Sequence, residues 1–147
     1  MKIALASDHG GFKLKEKIKE HLMTRADLEI QDLGTHSEES VDYPVYGKTC
    51  ARLVASGEAD LGIVTCGTGI GISIAANKVE GIRCALATNT FMAEMSRKHN
   101  DANMLALGGR VLSDDEAIDI VDVWLTADFE GGRHKRRVDL LICDGSI

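Results

Sequence analysis

The residues best suited to chemistry lie in one stretch, Thr65-Cys66-Gly67-Thr68-Gly69-Ile70-Gly71-Ile72-Ser73. It follows an apolar run, Asp60-Leu61-Gly62-Ile63-Val64, that reads as a buried strand. It precedes Ile74-Ala75-Ala76-Asn77-Lys78, which reads as the first turns of a helix. A strand-to-helix turn of this kind aims several backbone N–H groups and the positive end of a helix dipole at one spot. Three alternate glycines remove the Cβ atoms that would keep a ligand off those amides. Cys66 alone reads most simply as a packed small residue. At the mouth of an amide cradle it gains a second reading, because a thiol beside a helix N-terminus has more thiolate character and can act as nucleophile or base. The spacing is GxGxG rather than GxGxxG, and the next strand ends in Thr88-Asn89 without a ribose-binding acid. No Gly-Lys-Ser/Thr follows, so the stretch is neither a dinucleotide fingerprint nor a P-loop.

A second anion signal lies near the end of the chain, in Arg133-His134-Lys135-Arg136-Arg137. A solvated helix face is the plain reading. Positive charge at a helix start is disfavoured by the dipole, however, and a bound anion would offset that. Arg133 and Arg137 are four apart, so they share a helix face and could clamp one phosphate. Asp8-His9 follows the first strand, where an aspartate is also a common helix cap. His99 ends a helix, where a cation is favoured. Together these residues suggest a phosphorylated small molecule held by arginines, with Cys66 as a weak base facing amides that stabilise an oxyanion. A histidine could move protons between oxygens. Proton abstraction beside a carbonyl, giving an enediolate, matches the set better than hydrolysis. Acyl transfer requires a histidine close to the cysteine, which spacing does not establish.

The elements that must position these groups alternate along the chain. Residues 2–7, 28–33, the run into Cys66, 82–87 and 104–107 read as strands. Helices carry Leu14, Ile18 and Leu22; residues from Pro44 to Ser56; the segment after the glycine turn; Phe91, Met92 and Met95 up to His99-Asn100; Ile118, Val121 and Leu125 behind the capping box Ser113–Glu116; and a last one from Arg133. Alternation of this kind predicts an α/β fold with a mainly parallel sheet, as one domain over 1–147. Sites in such sheets form at the carboxyl ends of strands. Asp8, His9, Cys66 to Gly71 and Arg110 obey that rule. His99 and Asn100 do not.

Composition narrows the function. The chain has 147 residues, enough for one core, and a net charge of -6, which argues against general nucleic-acid or membrane-surface binding. No apolar run is long enough to span a membrane, and Lys2-Ile3-Ala4-Leu5-Ala6 shows no signal-peptide layout. Cys50, Cys66, Cys84 and Cys143 show no CxxC or metal spacing, which fits a cytoplasmic protein with reduced thiols.

With these residues in view, the chain resembles the type B ribose-5-phosphate isomerases, in the group that also includes allose-6-phosphate and galactose-6-phosphate isomerases. The stretches that carry the resemblance are Ala6-Ser7-Asp8-His9, Asp42-Tyr43-Pro44, Cys66 through Lys78, Arg97-Lys98-His99-Asn100, Gly109-Arg110 and Glu130-Gly131-Gly132-Arg133-His134, in order along almost the whole chain. The resemblance implies a three-layer α/β/α Rossmann-like domain with a five-stranded parallel sheet in the order 2-1-3-5-4. It implies that Cys66 takes the C2 proton and returns it at C1, that the amides from Gly67 through Thr68, Gly69 and Ile70 to Gly71 hold the enediolate, and that Thr68 moves protons between O1 and O2. His99, assisted by Asp8, opens the sugar ring. Asn100 and Tyr43 contact hydroxyls, and His9, Arg110, Arg133 and Arg137 bind substrate, the arginines mainly through phosphate. The family needs no metal or organic cofactor, and its members are homodimers or dimers of dimers with shared active sites. One branch lacks the cysteine and uses a glutamate at the position of Ile72; Cys66 and Ile72 put this chain in the cysteine branch. The His-Asn pair and the Gly-Gly-Arg-His stretch favour ribose 5-phosphate over six-carbon sugars such as allose and galactose or their phosphates. A non-catalytic phosphosugar-binding domain would need the cradle and arginines but not the thiol.

Overall fold

Large and small apolar residues alternate along the three central strands, and that alternation decides the layers. A computed structural model describes residues 1–141; Cys143 and the other residues of 142–147 lie outside the described residues. In β1 (Lys2–Ser7), Ile3 and Leu5 face one side and Ala4 and Ala6 the other. In β3 (Leu61–Cys66), Leu61 and Ile63 oppose Val64 and Cys66. In β5 (Met104–Gly108), Leu105 and Leu107 oppose Met104 and Ala106. Strands buried on both faces in this way belong at the centre of a parallel sheet. They are joined by β2 (Glu29–Asp32) and β4 (Cys84–Leu86) in the order β2-β1-β3-β5-β4, every pair parallel.

The smaller side chains line the face under α2 (Tyr43–Ala55) and α3 (Ile70–Asn77). The larger ones pack under α1 (Phe12–Leu22), α4 (Thr90–Asn100) and α5 (Asp114–Thr126), around the fully buried Trp124. A short α6 (Arg133–Asp139) packs on α4. The described residues therefore form the expected three-layer α/β/α arrangement with six helices. Its α5 is capped as predicted: the Glu116 amide donates to Ser113 Oγ at 3.2 Å and the Ser113 amide donates to Glu116 Oε2 at 2.8 Å.

Three local expectations are corrected. The glycine turn is shorter than its composition implies: α3 begins at Ile70, four residues before Ile74, because Gly69 makes the whole reversal at φ 78°. The apolar stripe of α5 is rotated, since Ala117, Ile120, Val121 and Trp124 are buried while Ile118 and Leu125 are only half-buried. Strand β4 is also shorter than 82–87. Ile82 and Ala87 pack on opposite faces of the sheet just outside it.

The far edge of the sheet is held by charge. Lys15 on α1 is buried, and its ammonium donates to Asp32 Oδ1 at 2.7 Å and to Glu16 at 2.7 Å. Lys19 adds a bond to Asp32 Oδ2 at 2.8 Å. Asp32 Oδ1 also accepts the Gly34 amide at 3.0 Å, and the Gly34 carbonyl accepts the Ser7 amide at 2.7 Å. A buried lysine is retained only with such partners. This network ties the end of β2 to the end of β1, one residue before Asp8.

Candidate active site

Strand β1 is followed by β2 on one side of it and by β3 on the other, so the chain switches direction between β1 and β3. Ligands of open α/β sheets bind at the carboxyl ends of strands flanking such a point. Asp8 and His9 leave β1 there, Cys66 ends β3, and Arg110 follows β5.

The turn after Cys66 is built around its sulfur. The Gly69 amide donates to Cys66 Sγ at 3.1 Å, and the thiol is 5% exposed. Only glycine suits position 69, since its φ is 78° and a Cβ would sit 2.6 Å from Leu86 Cδ1 and 2.9 Å from the Leu107 carbonyl carbon. The Ile70 amide donates to Thr68 Oγ1 at 3.3 Å. No side chain caps α3. Among the described residues, the amides of Gly67, Thr68 and Gly71 donate to no group of the chain. These are the free donors that the start of a helix leaves for an anion. The Tyr43 ring, at the first residue of α2, closes one side of the cradle; a Cβ on Gly71 would meet it at 2.8 Å. The Arg110 guanidinium closes another, its Nη1 3.1 Å from where a Cβ on Gly67 would lie.

Asp8 is buried, and its Oδ1 accepts the Gly11 amide at 3.1 Å. His9 Nδ1 accepts the Val41 amide at 3.2 Å. In a neutral imidazole that assigns the proton to Nε2, which is thus a donor. The other two described cysteines differ in setting. Burial pushes the Cys50 thiol well up and the Cys84 thiol up to about 12, and neither lies in the cradle. Ile72, where the cysteine-free branch is expected to carry a glutamate, is wholly buried against Gly47.

The remaining predicted residues are elsewhere. His99 and Asn100 close α4 at the amino end of the sheet. There the Asn100 carbonyl accepts Arg83 Nε at 2.9 Å, just before β4, and Asn103 accepts the Gly62 amide at 3.0 Å, at the start of β3. Arg137 joins them, with His134 and Val138, around a cleft of about 290 Å³. Arg133 stands on the same short helix, exposed. The dipole argument made from sequence holds for Arg133 alone, because a seven-residue helix places Arg137 in its last turn, where positive charge is favoured. The length of β3 separates the two groups by about 17 Å at ~3.3 Å per residue. The residues predicted from sequence therefore fall into two groups, one at the carboxyl and one at the amino end of the sheet.

Sequence reasoning assigned no role to His134. Its ring stacks on His99 with centroids 4.1 Å apart and planes 7° from parallel. Burial, then the neighbouring His99 and Arg133, hold it below the usual histidine range. With Glu130 these histidines offer three metal-ligand atoms within 4.8 Å of one another. An ion must lie in the plane of each imidazole that binds it. Two parallel, stacked planes share no such point, so the arrangement is not built for a shared ion.

Comparison with known proteins agrees with this fold. The family model described as Ribose/Galactose Isomerase matches residues 3–141. The chain belongs to that family. Among its members, ribose-5-phosphate isomerase B of Escherichia coli is 51% identical over 140 residues, covering 95% of this chain and 93% of that protein. The structure of Clostridium thermocellum ribose-5-phosphate isomerase B superposes with a TM-score of 0.95 at 60% identity, over 96% of this chain and 95% of that one. A Mycoplasma genitalium ribose-5-phosphate isomerase B, solved with bound ribulose 5-phosphate, superposes with a TM-score of 0.90 at 44% identity, over 96% and 93% of the two chains. The ribose/galactose isomerase family thus accounts for residues 3–141, nearly all of the described chain.

Proposed function

We propose that this protein is an aldose–ketose isomerase that interconverts D-ribose 5-phosphate and D-ribulose 5-phosphate, as its family membership and named relatives suggest. The observation that carries the mechanism is the buried Cys66 sulfur facing the uncapped start of α3. The Cys66 thiolate takes the proton from C2 of the open-chain aldose. The resulting enediolate oxygens lie against the free amides from Gly67 to Gly71, which stabilise charge that develops only during the reaction. Thr68 carries a proton from O2 to O1, and the Cys66 thiol returns its proton to C1, completing the ketose without any external oxidant or reductant.

Arg133, Arg137 and Arg110 hold the phosphate and neighbouring oxygens as charge-assisted donors. His9 donates from Nε2, and Tyr43 and Asn100 contact hydroxyls. His99, with Asp8, opens the furanose ring by moving a proton from the anomeric hydroxyl to the ring oxygen. Because His99, Asn100, Arg133 and Arg137 lie on the edge opposite Cys66, one working site takes Cys66 from one copy and His99 from a second. The protein therefore acts as a homodimer, or a dimer of dimers, with shared sites. Exposed Ile70 and Ile74, one turn apart on α3, give it an apolar face to bury in such an assembly. A cytoplasmic setting keeps Cys66 reduced.

The test compares rates on ribose, allose and galactose phosphates with those on the free sugars, for wild type and Cys66→Ala. Ribose 5-phosphate is expected to be turned over fastest. Cys66→Ala is expected to lower turnover by roughly 10²–10⁴-fold, the range for losing a general base, while substrate still raises the melting temperature. Turnover near the wild-type rate in Cys66→Ala removes the base; binding without turnover in wild type makes the chain a phosphosugar-binding domain.

A further inference from the structure

We propose that His134 is a positioning residue for ring opening, its buried imidazole serving as the flat surface that fixes the His99 ring toward the cleft. This rests on the assignment of His99 given above. His99 is the penultimate residue of α4 and half-buried. The stacked geometry, 4.1 Å and 7°, leaves the His99 ring one plane in which to lie.

His134 helps to line the cleft but presents little surface to it. Its side chain is 8% exposed, and its Nε2 is buried with no hydrogen-bond partner, the nearest charged group being the Glu130 carboxylate at 3.5 Å. The chain brings the two rings together deliberately. The Glu130 amide donates to the Lys98 carbonyl at 3.0 Å, and Gly131 and Gly132, both at positive φ, turn the backbone so that α6 starts over α4. The titratable and charged groups acting on His134 are His99 on α4, Glu130 in the turn, and Arg133 and Arg137 on α6. Its buried place and positive neighbours favour the uncharged ring. A neutral ring can stack on His99 whether or not His99 carries a proton, which is what a proton-shuttling partner requires.

The experiment is a double-mutant cycle read as kcat on ribose 5-phosphate. His134→Ala is expected to lower kcat about tenfold while KM changes less than about threefold, the pattern of a misplaced group rather than a lost contact. His134→Phe, which keeps a flat ring and no nitrogen, is expected to recover kcat to within about threefold of wild type. In a His99→Asn background, His134→Ala is expected to cost nothing further. The role is overturned if Phe is no better than Ala, if His134→Ala leaves kcat unchanged, or if its cost is the same with and without His99. A His99→Asn variant that turns over ribose 5-phosphate at the wild-type rate overturns the ring-opening assignment itself, and the positioning role with it. A loss in His99→Asn that simply multiplies with that of His134→Ala overturns the positioning role alone.

Discussion

At the scale of single residues, local chemistry was readable and pairings were not. Cys66, the three alternate glycines and Asp8-His9 declare themselves because each depends on neighbours a few positions away in sequence. The Gly69 amide meets Cys66 Sγ across three residues. The His99–His134 stack joins residues 35 apart through the packing of α6 on α4, and no spacing rule reaches that far. The Val41 amide that sets the His9 tautomer is equally remote. Arg137 is the residue whose role is most easily isolated. Arg137→Ala is expected to raise KM for ribose 5-phosphate roughly ten- to hundredfold, as befits about 1.5–3 kcal/mol for a charged hydrogen bond. Turnover of a free sugar should hardly change. Equal losses on both substrates in steady-state kinetics would show that Arg137 does not hold phosphate.

Among the elements, the helices and strands followed their apolar periodicity, and errors gathered at their ends and on one helix face. The early start of α3 could not be read, since Ile70-Gly71-Ile72-Ser73 has no helical signature of its own; a left-handed Gly69 decides it. The rotation of α5 came from Trp124, whose bulk takes the innermost position. The charge network joining α1 to β2 was also hidden, because Lys15 sits among lysines that read as a solvent face. It has a measurable consequence. Burial alone would raise the Asp32 carboxyl, but the hydrogen bonds from Lys15 and Lys19 outweigh it and bring the group from 3.8 down to about 2. A carboxylate held lower in the folded than in the unfolded chain gives stability that is complete above about pH 4 and lost as pH falls toward 2. Asp32→Asn should therefore destabilise the protein near pH 6 and flatten its acid-unfolding profile between pH 4 and 2. Denaturant melts at each pH would show it; an unchanged slope would mean that the network carries no linked proton.

The whole molecule places Cys66 at the carboxyl end and His99 at the amino end of a five-stranded sheet, and the proposed shared site rests on that division. Residue spacing signalled it only as an irregularity, in that His99 and Asn100 end a helix rather than follow a strand, while the family resemblance implied sites shared between subunits. Mixing Cys66→Ala with His99→Asn is the direct test. In random dimers half the molecules pair one of each, and each such pair holds one intact site of two, so turnover should return to about a quarter of wild type. Recovery no greater than the mean of the two variants would place the whole site within one chain. The same division makes catalysis sensitive to dilution. If a lone chain holds only half of every site, then below the dimer dissociation constant the reaction rate grows with the square of protein concentration, and each molecule turns over more slowly the fewer companions it has.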